Sequence, residues 1–139
     1  MTTPALVESW ALVGTWALVR GTCTAADGTP RPAPYGPMGM GRVSFSADGR
    51  MLAVVCDCRL ELPADAEREY NSYCGTYTFD GRQLVTKVFA NSNPGRLGAD
   101  QIRDIRFEGK HLVMRPPPRA VAGKPAEQRE IWWEKIADV

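Results

Sequence analysis

No stretch of the chain approaches the roughly 18 consecutive apolar residues needed to span a bilayer. The opening Met1-Thr2-Thr3-Pro4-Ala5-Leu6-Val7-Glu8 has neither the basic start nor the continuous apolar core of a secretory signal. Both absences set the expectation of a soluble, cytoplasmic protein with no membrane partner. An excess of one charge sign is missing too. Seventeen Lys and Arg against sixteen Asp and Glu, interspersed along the chain, leave a net charge of +1. There is no basic stripe to neutralise phosphates, so nucleic acid is not an expected partner. Histidine occurs once and cysteine four times. In a reducing compartment Cys23, Cys56, Cys58 and Cys74 are expected as thiols, and their even number does not imply a disulfide framework. A Ser-His-Asp set, a Gly-rich phosphate loop and carboxylate pairs at a telling spacing are all lacking. Triad hydrolysis, phosphoryl transfer and dinucleotide redox chemistry therefore find no support, and no cofactor is expected.

What the chain does have is enough apolar matter for a core. Its 139 residues are 44% hydrophobic, with four Trp, four Tyr and four Phe. That length suits one domain over residues 1–139, burying about two thirds of the surface of the unfolded chain. Thr3 as N-cap, Pro4 and the spacing of Leu6, Trp10 and Val13 predict a short helix over 3–12, ended by Gly14. Runs rich in Val, Ile, Thr, Tyr, Phe and Trp follow, separated by turn signals. Strands are predicted at 15–25, 42–46, 50–60, 72–79, 83–90, 100–107, 111–115 and 129–136. Asp48-Gly49 and Asp80-Gly81 are hairpin signals. Residues 29–41 hold four prolines and three glycines and must be irregular. Residues 62–70 predict a helical turn across one end of the sheet, and 116–128 an exposed linker opened by three prolines. About eight strands without a crossover helix make an antiparallel, all-β sheet. Such a sheet either splits into a sandwich or closes into an up-and-down barrel, and the barrel is the expectation because closure removes the exposed edges and leaves room for one small ligand.

The ordered motifs resemble a known family. Leu12-Val13-Gly14-Thr15-Trp16 is a Gly-x-Trp opening to the first strand. Pro34-Tyr35-Gly36-Pro37, Gly41 to Met51 (GRVSFSADGRM), Gly75-Thr76-Tyr77, Asn93-Pro94 to Gly98, Gln101-Ile102-Arg103 and Trp132-Trp133-Glu134 follow in order. Together they resemble the short bacterial and fungal lipocalin-like domain proteins of the calycin type. The resemblance implies a β-barrel closed at one end around a small-molecule cavity. It further implies an association with natural-product pathways, in which related small barrels bind or rearrange hydrophobic intermediates. Where that family often carries a His in the strand at 83–90, this chain has Lys87, which puts proton transfer by such a His in doubt.

Several residues bear on chemistry. Gly14 and Trp16 read as structural, the ring closing the barrel floor and the glycine admitting another backbone. Cys56 and Cys58 share a strand face, but a zinc site wants four ligands. Neither Cys23, Cys74 nor His111 completes one at a recognisable spacing, so no metal is expected. These cysteines read as small buried hydrophobes and His111 as an exposed strand residue. Tyr73, Gly75, Tyr77 and Phe79 share a face that should be internal, as core or as pocket wall. Gln101, Arg103, Ile105 and Phe107 share another. An inward Arg103 either pairs with Glu134 or a further carboxylate, or awaits an anionic or carbonyl group on a ligand. Lys87 alternates with Val85 and Phe89. It is either a rim cation or, if inward and desolvated, a base or imine-forming nucleophile. The loops at 34–41 and 91–98 read as lids.

The leading expectation is binding of a small hydrophobic or aromatic molecule in the barrel interior by Tyr35, Met38, Tyr73, Tyr77, Phe89, Gln101, Arg103 and Trp133. The alternative is a cofactor-independent isomerase, cyclase or dehydratase using Lys87, Tyr77, Arg103 and Glu134 as acid–base groups. A third reading makes the Pro-rich segments an interaction surface on a barrel scaffold. A monomer or a homodimer fits any of them.

Overall fold

The computed structural model describes residues 9–139. Its strands are β1 (Gly14–Ala25), β2 (Pro30–Arg31), β3 (Gly39–Phe45), β4 (Arg50–Asp57) and β5 (Tyr70–Phe79). They continue with β6 (Gln83–Asn91), β7 (Asp100–Glu108), β8 (His111–Arg115), β9 (Arg119–Val121) and β10 (Lys124–Ala137). All pairings are antiparallel, in the order β2-β1-β3-β4-β5-β6-β7-β8-β10-β9. The sheet closes where β1 runs along β10 from Thr15↔Ala137 to Ala25↔Glu127. The result is an eight-stranded up-and-down barrel, with β2 and β9 as short additions beside β1 and β10.

Alternation of direction sorts the connections to two ends. Tight turns through Gly49, Gly81 and Gly109, all at positive φ, join strands at one end. The long connections β1–β3, β4–β5, β6–β7 and β8–β10 gather at the other. The tight-turn end is packed solid. Leu12, fully buried, and Trp16, 4% exposed, plug it together with Phe45, Phe79, Leu84 and Leu112. The Trp16 indole donates to the Leu12 carbonyl at 2.9 Å. Gly14 sits at φ +134°, and a Cβ there would lie 2.6 Å from the Ala137 carbonyl oxygen. The Gly-x-Trp pattern thus does what its residue types suggested: the ring fills the floor while the glycine lets the last strand close over the first.

Three expectations are corrected. The helix over 3–12 is a single 3₁₀ turn at Ser9–Leu12 among the described residues, and residues 1–8 lie outside them. Residues 62–70 form no helical crossing. β5 already begins at Tyr70, and Arg68 holds the preceding loop in irregular form by donating to the Asp57 and Arg59 carbonyls. The 116–128 linker is mostly a hairpin: Gly123, at φ +69°, turns β9 into β10. Pairing with β1 back to Glu127, and with β9 back to Lys124, starts β10 five residues before the strand predicted at 129–136. No described helix is long and apolar enough to cross a membrane.

Candidate functional site

Above the packed floor the barrel encloses a cavity of about 400 Å³, opening at the end where the long connections meet. This size lies in the range of small-molecule sites. Its depth is apolar, from Val43, Ala53, Val55, Met114, Ile131 and Trp133. Polar groups stand among and above them: Tyr73 and Asn71 from β5, Gln101 and Arg103 from β7, Glu127 and Arg129 from β10, and Tyr35 from the β2–β3 connection. Each strand contributes by alternation. On β7 the inward side chains are Gln101, Arg103, Ile105 and Phe107, and on β10 they include Glu127, Arg129, Ile131 and Trp133.

Arg103 is the electrostatic centre of the site. Its Nη2 donates to Gln101 Oε1 at 3.2 Å and its Nη1 to the Ile102 carbonyl at 2.8 Å. No carboxylate within 4 Å pairs with it among the described residues. Burial pushes its pKa below the ordinary value, as expected of a cation without a counter-ion, though a guanidinium remains protonated at neutral pH. Because Gln101 spends its oxygen on Arg103, its amide nitrogen is left buried without an acceptor. The Trp133 indole nitrogen and Arg129 Nε are equally orphaned. Burial raises the phenol pKa of Tyr73, and burial together with the Glu69 carboxylate raises that of Tyr35. Both stay neutral hydroxyls, able to donate.

The mouth is tied by ion pairs. Arg129 Nη1 meets Glu69 Oε2 at 2.7 Å, and the other oxygen of Glu69 accepts the Tyr35 backbone N–H. Tyr35 is held at φ +65°, a left-handed backbone that costs a non-glycine residue about 1–2 kcal/mol. Farther out along β10, Arg119 pairs with Glu127 at 3.3 Å. Burial opposes the charge on Glu127, yet the Cys23 thiol and Arg119 bring its pKa below the ordinary value. Burial, then Glu127, raises that of Cys23 in return.

Of the residues expected at the site, Tyr35, Tyr73, Gln101, Arg103 and Trp133 line the cavity together. The others lie elsewhere. Tyr77 is inward but at the packed end, its ring edge-on to Phe45 and its hydroxyl donating to the Ser46 carbonyl at 2.7 Å. Met38 is 60% exposed in the β2–β3 connection. Lys87 and Phe89 point outward, because β6 turns Leu84, Thr86 and Val88 to the core. Phe89 lies beside Leu52 and Cys74 in a shallow groove on the outer sheet face. Glu134 is also outside, bound to Lys110 Nζ at 2.9 Å, so it is no partner for Arg103. His111 packs edge-on against Trp132, 5.7 Å away on the same outer face. Cys58 lies exposed beyond the end of β4, and Cys56 is only half buried, which corrects their reading as core residues. Among the described residues no group of three or more His, Cys, Asp or Glu is placed to hold a metal.

Sequence reasoning missed Arg129, Glu69, Glu127 and Asn71. Arg129 was within its reach, since it shares strand parity with Trp133 four residues on. Glu69 fell in a segment read as a helical turn, and Glu127 in one read as an exposed linker. No protein-family model matches the chain, and no curated protein is significantly similar to it.

Proposed function

We propose that the protein binds a small apolar or aromatic molecule inside its barrel. The observation that carries this reading is the cavity itself: an apolar chamber of about 400 Å³ in which donors of Gln101, Trp133 and Arg129 lack partners. Each buried donor without a partner costs about 1–3 kcal/mol, and three of the six such side-chain atoms among the described residues gather on this one cavity. A ligand that fills the apolar depth and accepts from these donors removes the cost. The lipocalin-like resemblance of the motifs supports the same reading, and the closed barrel is compatible with it. The cysteines are free thiols, which suits action in the cytoplasm. The isomerase alternative is less well supported, since Lys87, Tyr77 and Glu134 lie outside the cavity while Arg103 and the Tyr35 and Tyr73 phenols keep their protons.

Ala53 is buried on the cavity wall, and Ala53→Phe places a ring in the chamber. Native mass spectrometry of freshly purified protein, compared with its denatured mass, is expected to reveal a non-covalent organic adduct. N-phenyl-1-naphthylamine, a neutral fluorescent probe, is expected to bind the wild type and to lose at least about tenfold in affinity in Ala53→Phe, a factor worth about 1.4 kcal/mol. Undiminished probe binding by a folded Ala53→Phe protein would place the site elsewhere.

A further inference from the structure

The cationic side chains around the cavity are not equivalent. Arg129 is neutralised by Glu69 at 2.7 Å and Arg119 by Glu127 at 3.3 Å. Arg96 stands exposed at the mouth, as does the remaining lining carboxylate, Asp100. Arg103 alone is both turned into the chamber and free of an ion pair among the described residues. The groups around it compound the asymmetry. Gln101 offers Arg103 its oxygen and turns its N–H₂ outward from that bond, and no acceptor meets it. The Trp133 indole adds a second unmatched donor on the cavity wall. Tyr73 and Tyr35, both close enough to feel the Arg103 charge, remain protonated. Five side chains thus present donors or positive charge, while of the two lining carboxylates Glu127 is paired with Arg119 and Asp100 stands exposed at the mouth. A neutral hydrocarbon would leave that polar corner unsatisfied and would itself have to desolvate a cation.

We propose that the occupant is an apolar organic acid, bound with its anionic oxygens against Arg103 and Gln101 and its hydrocarbon or aromatic body against Val43, Ala53, Met114 and Ile131. This inference rests on the interior-binding reading and narrows it to one ligand class. The planar guanidinium can take two oxygens of one carboxylate or sulfonate, and the Gln101 amide a further lone pair. The apolar depth then discriminates against small hydrophilic anions such as phosphate, which would leave that surface uncovered.

The test uses two probes that share one ring skeleton and differ in charge. 8-Anilino-1-naphthalenesulfonate carries an anionic oxygen head, and N-phenyl-1-naphthylamine lacks it. Fluorescence titration of the full chain is expected to give the sulfonate at least about a tenfold tighter Kd than the neutral amine. Arg103→Leu is expected to weaken the sulfonate about tenfold or more and to leave the amine within about twofold. Ala53→Phe is expected to weaken both at least about tenfold, since binding that survives at wild-type strength comes from the outer groove around Leu52 and Phe89 and counts against the assignment. Equal affinities in the wild type, or parallel losses in Arg103→Leu, would overturn the anion assignment while leaving interior binding standing. Failure of the wild type to bind either probe would overturn both. The wild-type comparison decides the matter even if Arg103→Leu does not fold.

Discussion

Gly75 lies where β5 swells against β6, at a bulge between Cys74 and Gly75. A Cβ there would stand 1.9 Å from the Lys87 carbonyl oxygen and 2.8 Å from its carbon, both backbone atoms that cannot swing aside. Gly75→Ala is therefore expected to cost about 2 kcal/mol or more, read as a lowered urea midpoint with little change in slope. An unchanged midpoint would mean that the two strands can part at the bulge without loss. The next two strands show why some residues were legible and others were not. On β7 the inward set Gln101, Arg103, Ile105 and Phe107 could be read from Phe107 by alternation. On β6 each parity carries two apolar residues and one polar one: Leu84, Thr86 and Val88 against Val85, Lys87 and Phe89. Alternation alone could not say which set faces in. The outer groove gives Phe89 partial cover and carries Lys87 outward with it.

Among the connecting elements, the 58–69 loop governs the mouth. Arg68 ties its start to the Asp57 and Arg59 carbonyls, and the Asp57 carboxylate grips Arg59 at 2.6 Å. Its end places Glu69 between Arg129 of β10 and the strained Tyr35 backbone. Glu69→Ala removes both attachments. Hydrogen exchange should then show the Tyr35 amide losing about tenfold or more of its protection, the worth of roughly one charge-assisted hydrogen bond. Amides of the β1–β10 seam should exchange as before. Unaltered exchange at Tyr35 would show that the surrounding loop packing, and not Glu69, holds it. Tight turns were readable because Asp-Gly pairs tolerate positive φ locally. The 58–69 and 116–128 segments were not, because their order comes from partners far away in sequence: Glu69 meets Arg129, and β10 meets β1.

The whole barrel is held shut from outside as well as from its core. Arg106 of β7 reaches across β8 to Glu130 of β10, while Arg20 of β1 lies 4.0 Å over the Trp132 ring. The Arg106 hydrogen bonds hold the Glu130 carboxyl below the usual range. A folded pKa below the unfolded value of about 4.3 contributes stability that is present above the unfolded pKa and lost as pH falls through the folded one. Glu134, lowered by Lys110, acts with the same sign. Tm should consequently fall on acidification from about pH 5 to about pH 3, and Glu130→Gln should flatten that fall while lowering Tm at neutral pH. Parallel acid profiles for the two proteins would remove the clamp from the account.

Antiparallel all-β strands, their hairpin turns, the Gly-x-Trp opening of the first strand and the shared strand face of Gln101 and Arg103 were all determined by the sequence. Each rests on local conformational preference or on a period of two, which neighbouring residues are enough to express. Tertiary structure alone decided that Glu134 lies outside and Glu127 inside, that Arg129 is neutralised while Arg103 is not, and that Tyr77 packs at the floor while Tyr73 faces the cavity. Those outcomes depend on which strands become neighbours on closure and how far they shear past one another. Closure joins residues more than a hundred positions apart, as Thr15 meets Ala137, and no local pattern of residues carries that information.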